Sequence, residues 1–225
     1  MGYASSLGRF ILDLVYPNHC LHCQALMRSG LLCVECKNQL ESVERKNQVR
    51  QVPFNAGIDQ VYACWYFNDV LQSVIHSLKY ADRARLGRLL GEWAAAELGR
   101  EVFRDLDCLI PVPLYRVKKR SRGYNQARWI ARGMGIKWRI PVSTGILHRR
   151  KDTVSQTTLH RDERLRNMEN AFVISQPLNA RKIGIIDDVL TTGATISASA
   201  QVLKAAGAVE VRAITIATPR MEASN

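Results

Sequence analysis

The sequence predicts an α/β fold, a parallel sheet flanked by helices with a small cysteine-rich module ahead of it. Three observations predict this. From residue 61 onward, short apolar runs alternate with amphipathic stretches. Two Cys-x-x-Cys pairs, Cys20–Cys23 and Cys33–Cys36, fall within the first 45 residues. One apolar run, Ile183 to Ile186, ends on two adjacent carboxylates, Asp187 and Asp188, and then a loop of small and hydroxyl residues.

Residues 1–16 read as an amphipathic helix leading into the cysteine module. Each Cys-x-x-Cys can place two thiolates on one ion, and two pairs close a tetrahedral site, with Zn2+ the default. About 45 residues build little core, and structural zinc contributes on the order of 10 kcal/mol to such modules. Four thiolates leave no open position, so the expected role is structural. A redox dithiol or two disulfides are the rival readings. His19 and His22 lie close by, and either could replace a Cys.

The expected divisions are 1–45 for the helix and four-cysteine zinc module, 46–60 for a polar linker, and 61–225 for the α/β domain. Val61 to Phe67 alternates like a strand. Asp69 to Tyr80 carries Val70, Leu71, Val74, Ile75 and Leu78 at helical spacing. Leu86 to Leu98 is a second helix, Cys108 to Leu114 a buried strand, and Asn125 to Gly133 a third helix. Ala171 to Ile174 is expected beside the Ile183 strand. Ile196 to Ala206 is a helix stopped by Gly207, and Val209 to Ala217 is a last strand. This alternation predicts right-handed crossovers.

The Asp187 to Thr195 segment carries the sharpest chemistry. Ligands in open α/β sheets bind at the carboxyl ends of the strands. Gly193 lets the backbone approach a ligand. The N–H groups and hydroxyls of Thr191, Thr192 and Thr195, with Ala194 opening the helix, suit phosphate oxygens. Asp187 and Asp188 can accept hydrogen bonds from vicinal ribose hydroxyls. A sugar phosphate fits this arrangement. A plain turn with a helix cap is the bland alternative. The turn Leu114-Tyr115-Arg116 ends another strand and could cradle a diphosphate. The polar segment 151–164, with Gln156 and Arg164, could form a hood over the ligand, or a solvated helix.

Charge is unevenly placed. The chain has 32 basic and 20 acidic residues, a net +12. Arg116 to Lys151 holds twelve Lys or Arg and no acid, so this one stretch carries the whole excess. Lys118, Lys119, Arg120 and Arg122 lie there, with Tyr115, Tyr124, Trp129 and Trp138 interleaved. Cations along a backbone with aromatic faces for bases suit single-stranded nucleic acid. A solvated face or a site for small phosphates would use the same residues. Trp129 shares its helix with Ala127, Ile130, Ala131 and Met134 and is expected in the core.

Cys64 and Cys108 sit in apolar surroundings and read as buried free thiols. No disulfide framework, cleavable leader or apolar run long enough to span a membrane is evident. A cytoplasmic protein is the expectation.

At Asp187 to Thr195 the chain resembles the type I phosphoribosyltransferases. That resemblance implies a Rossmann-like sheet, phosphoribosyl pyrophosphate (PRPP) as ligand, and Mg2+ with its diphosphate. Purine-salvage members of the hypoxanthine–guanine type carry an acidic base where Thr191 stands, and Thr191 cannot take a proton from a nucleobase. More of the chain resembles the ComF family. The matching pieces are the Cys-x-x-Cys pairs, Leu78-Lys79-Tyr80, Pro111 to Leu114, and Arg122-Gly-Tyr-Asn-Gln126. The series Gln156, Leu159, Arg161, Arg164 and Asn167 and the run Asp187 to Thr195 complete them. This resemblance implies a role in handling imported DNA, either in natural transformation or in its use as a nutrient, with an uptake or helicase component as the implied partner. Two classes remain open: a DNA-processing accessory factor regulated by PRPP or a nucleotide, and an active phosphoribosyltransferase in nucleotide salvage.

Overall fold

A computed structural model of the chain describes residues 18–44, 52, 55–79, 84–114, 124–150 and 171–220. Its main sheet has four parallel strands: β3 (Gln60–Tyr66), β4 (Cys108–Pro111), β7 (Lys182–Val189) and β8 (Glu210–Thr218). Their spatial order is β3-β8-β7-β4. The apolar run of 183–186 therefore occupies a central strand, hydrogen-bonded on both sides. That explains why it is apolar without alternation.

Helices cover both faces. Those of the main domain are α2 (Asp69–Lys79), α3 (Ala84–Leu98), α4 (Gln126–Trp138) and α5 (Ala194–Ala205). Side chains alternate along the strands between two apolar clusters. Leu109, Ile186, Ile214 and Ile216 join α2, α3 and α4 residues on one face. Cys108, Ile110, Ile183, Ile185, Val211 and Ala213 join α5 residues on the other. Helices α3 and α4 touch through their backbones. A Cβ on Gly91 would lie 2.1 Å from the Ile130 carbonyl oxygen, and one on Gly133 would lie 2.1 Å from that of Arg88. Gly133 thus permits close packing inside α4, which runs on to Trp138 beyond the expected stop.

Two expectations are corrected. The segment Phe172–Ile174 (β6) does not join β7. It pairs antiparallel with Leu147–Arg149 (β5), in the register Arg149↔Phe172. Both edges of β7 are already taken by β4 and β8, so no place remained for it. The end of the expected linker also belongs to the domain: Ile58 is buried, and the Asp59 N–H bonds the Val211 carbonyl at 2.9 Å.

The amino-terminal module contributes a two-stranded ribbon, β1 (Asn18–His19) with β2 (Leu26–Met27), and a short helix α1 (Val34–Asn38). Residues 41–43 then run antiparallel along β3. Val43 N–H bonds Cys64 C=O at 3.0 Å, and Tyr66 N–H bonds Glu41 C=O at 2.9 Å. This covers an otherwise open sheet edge. The expected helix over 1–16 lies outside the described residues. No helix among the described residues is long and apolar enough to cross a membrane.

Candidate functional site

Asp187 and Asp188 stand near the end of β7, at the carboxyl edge of the sheet. Both are half-buried. Their carboxylates bond locally: Asp188 N–H to Asp187 Oδ1 and Val189 N–H to Asp188 Oδ1, each at 2.9 Å. Gln126, at the start of α4, donates its side-chain amide to Asp188 Oδ2 at 3.2 Å. Asn125 caps the same helix, accepting from Ala127 N–H at 3.1 Å and donating to Val112 C=O at 2.9 Å. Residues 124–126 thereby tie α4 to the end of β4 and deliver Gln126 to the acid pair.

Burial pushes the Asp187 carboxyl well above the usual carboxylate range, and the adjacent Asp188 charge pushes it further. Arg149 on β5 acts in the opposite direction. Its guanidinium lies 5.6 Å from the Phe172 ring.

The loop after β7 leads into α5 through Gly193, whose φ of 82° is the left-handed conformation glycine allows. No side chain caps α5. Thr191 is exposed, Thr192 and Thr195 are half-buried, and Gly193 and Ala194 are buried. The Thr192 hydroxyl sits 3.5 Å from Ala194 N–H. The fold therefore gathers Asp187, Asp188 and residues 191–195 at one edge, with donors of the first helical turn available to an anion. Leu114 follows the neighbouring strand and is half-buried. Tyr115, Arg116, Gln156 and Arg164 lie outside the described residues, as do Lys118, Lys119, Arg120 and Arg122.

The aromatic residues of the basic stretch sort differently from expectation. Tyr124 is buried, with its hydroxyl donated to the Leu78 carbonyl. Trp138 is buried too, its indole N–H on Ala95 C=O at 3.0 Å, and it stacks on Phe103. Tyr124 therefore packs and presents no face to a base, which corrects its assignment as a nucleic-acid contact. Trp129, expected in the core, is half-buried rather than fully enclosed. The Arg132 guanidinium lies 4.6 Å from its ring. A groove of about 420 Å³ beside it is lined by Arg88, Trp129, Arg132, Ile136, Ile140 and Val142.

The four cysteines of the amino-terminal module converge. Their sulfurs all lie within 4.8 Å of one another, with Cys23 and Cys33 at 3.6 Å. Tetrahedral Zn2+ with bonds of about 2.3 Å separates its sulfurs by about 3.8 Å. The donor set fits structural zinc. The turn between Cys20 and Cys23 bonds back through Gln24 N–H to Cys20 C=O at 3.1 Å, and Cys36 N–H points at Cys33 Sγ at 3.5 Å. His19 bonds the Gln24 carbonyl and His22 bonds the Ser73 hydroxyl, so both serve as supports. Cys64 and Cys108 are buried free thiols, as expected.

Sequence reasoning does not single out Gln126 or Arg149 as site residues. Gln126 closes the Arg122–Gln126 motif, and that position was the available signal. Arg149 is one of many cations in its stretch, and no local pattern links it to Asp187, on which its charge acts.

Known proteins place these features in context. A family model described as a double zinc ribbon domain matches residues 11–47. Competence protein F of Haemophilus influenzae is 28% identical over 202 residues, covering 86% of this chain and 87% of that protein. The DNA utilization protein YhgH of Escherichia coli O6:H1 is 32% identical over 150 residues, a match spanning 63% of this chain and 64% of that protein. Competence protein ComFC of Streptococcus pneumoniae is 23% identical over 199 residues, covering 82% and 86%. Matches of this length cannot rest on the cysteine module alone and take in much of the α/β domain, so the chain is similar over most of its length to proteins named for competence.

Proposed function

We propose that the chain is an accessory factor for uptake or use of extracellular DNA, with a phosphoribosyltransferase-like domain that binds PRPP or a nucleotide. The observation that carries this is the acid pair at the end of a central parallel strand, followed through Gly193 by the uncapped start of α5. Asp187 and Asp188 would accept the ribose hydroxyls. Thr191, Thr192, Thr195 and the N–H groups of residues 193–195 would hold the 5′-phosphate. Leu114, Tyr115 and Arg116 would meet the diphosphate, with Gln156 and Arg164 above it. Mg2+, when bound with PRPP, would neutralise diphosphate charge.

The names of the relatives, competence protein and DNA utilization protein, support the DNA context. Single-stranded DNA would lie on the basic stretch, where Lys118, Lys119, Arg120 and Arg122 would be joined by Arg128, Arg132 and the half-buried Trp129. An uptake or helicase component is the protein partner this reading calls for. The zinc-binding thiols and the free Cys64 and Cys108 suit a reducing compartment such as the cytoplasm.

The test is calorimetric titration of Mg2+–PRPP into zinc-loaded protein, beside the Asp187→Asn/Asp188→Asn variant. Binding lost in the variant is the expected result, and no binding to wild type sinks the site reading. Release of diphosphate in the presence of a nucleobase or amine would convert the accessory role into an active phosphoribosyltransferase. Affinity for a short single strand should fall steeply with salt, and Lys118→Glu/Lys119→Glu/Arg120→Glu should weaken it at low salt. Unchanged affinity removes DNA from the basic stretch.

A further inference from the structure

We infer that Thr215 is a positioning residue whose hydroxyl donates a hydrogen bond to the Asp187 carboxylate once that group carries its charge. Thr215 lies mid-β8 with none of its surface exposed, and its hydroxyl oxygen has no hydrogen-bond partner in the structure. A buried hydroxyl without a partner is costly, and valine would fill the same space without that cost.

The register shows what the hydroxyl can reach. Thr215 pairs with Asp187 on β7 and with Ala63 on β3. Adjacent strands lie about 4.8 Å apart, and paired residues share a face. Ile183, Ile185, Val211 and Ala213 place that face toward α5. Along this row Ala63 is apolar and Asp187 alone is polar beside Thr215. Asp187 uses Oδ1 for the Asp188 N–H, and its carboxyl also meets the Asp188 side chain, so Thr215 is a competing donor for Oδ2. Asp188 on its own strand and Arg149 on β5 are charged groups that act on Asp187. The paired residue on β8 is Thr215, Val112 follows the β4 end, and the first two turns of α5 hold no charged residue. The hydroxyl is thus the neutral donor available to the carboxylate from within the sheet. In the ligand-bound state it would hold Asp187 ionised and aimed at a hydroxyl pair, a half of the inference that rests on the site proposed above.

The experiment uses the full zinc-loaded chain as wild type, Thr215→Val and Thr215→Ser. Carboxyl 13C NMR follows the Asp187 titration without ligand, and calorimetry follows Mg2+–PRPP. Thr215→Val should raise the Asp187 midpoint by about one pH unit and weaken Mg2+–PRPP about tenfold. It should melt no lower than wild type where Asp187 is protonated. Thr215→Ser, which keeps the hydroxyl, should stay near wild type in midpoint and affinity. If valine crowds β7 and the protein does not fold, Thr215→Ala takes its place in the same comparison. An unchanged midpoint in the hydroxyl-free variant overturns the inference whatever PRPP does. Equal shifts with serine and valine reduce Thr215 to packing and overturn it too. A shifted midpoint in a protein that does not bind PRPP keeps the Asp187–Thr215 bond and removes the phosphoribosyl site.

Discussion

At the amino edge of the main sheet, charges of opposite sign meet. At the carboxyl edge, two like charges stand side by side. Arg212, buried on β8, grips Asp105 with two bonds of 2.8 and 2.9 Å and Glu210 at 2.7 Å. It also bonds the Val102 carbonyl. Lys182 reaches Asp105 at 2.8 Å, and Asp107 accepts the N–H groups of Arg181 and Lys182 at 2.7 and 2.8 Å. Lys204 meets Asp59 at 2.6 Å beside the start of β3. The Arg212 guanidinium, then the Lys182 ammonium, hold Asp105 well below the usual carboxylate range. The same sheet drives Asp187 the opposite way. One edge is arranged to stabilise the fold, and the other keeps donors and carboxylates ready for something else.

The comparison can be broken first at Arg212. Arg212→Ala should lower stability by about 2 kcal/mol in urea unfolding. That is below the range of roughly 3–5 kcal/mol for losing one partner of a fully buried pair, because Asp105 retains solvent contact. A change within error would mean the cluster is ornamental.

A smaller effect, of opposite sign, is expected at the other edge. Asp187→Asn/Asp188→Asn should raise the melting temperature at neutral pH by about 2–4 °C, equivalent to about 1 kcal/mol. The pH dependence follows from the two directions. The Asp187 pKa is higher folded than unfolded, so its contribution falls as pH rises from about 4 toward the folded value. Asp105 and Asp107 are lowered in the fold, so their stabilisation is complete above about 4 and is lost as pH falls below it. Wild type should therefore be most stable on the mildly acidic side. The double variant should flatten that neutral limb and keep the acid one. A neutral limb unchanged in the variant would contradict the raised Asp187.

The smallest effect sharpens the contrast. Lys182→Met removes a half-exposed cation from Asp105, yet Arg212 remains. The urea midpoint should not move measurably. A clear loss would show that the amino edge depends on its rim as much as on its buried guanidinium.

Much of this architecture was legible in the chain. The apolar run of 183–186 marked a central strand because only a strand buried on both faces omits alternation. The cysteine spacing marked the metal module because two thiolate pairs need only short turns to converge. The strand, loop and helix of the Asp187 to Thr195 segment were legible because they are contiguous. Helical periodicity names a face without naming what covers it, which is why Trp129 is less enclosed than expected, and the cations around Tyr124 said nothing of where its ring would pack. Trp129 meets Gly87 of α3 at its Cβ side, and the residue as a whole is half-buried. Tyr124 precedes α4 and finds a carbonyl of α2, 46 residues back.

The sequence by itself determined the main strands and helices of the α/β domain and the thiolate set, since each rests on residues within a few turns of one another. Tertiary structure decided the strand order, the separate β5–β6 pair, the docking of 41–43 along β3, and the company of the acid pair. Gln126 comes to Asp188 from 62 residues away. Arg149 and Thr215 come to Asp187 from 38 and 28 residues away. Such meetings depend on which sheet edges are already occupied and on the register between parallel strands, and no local pattern encodes either.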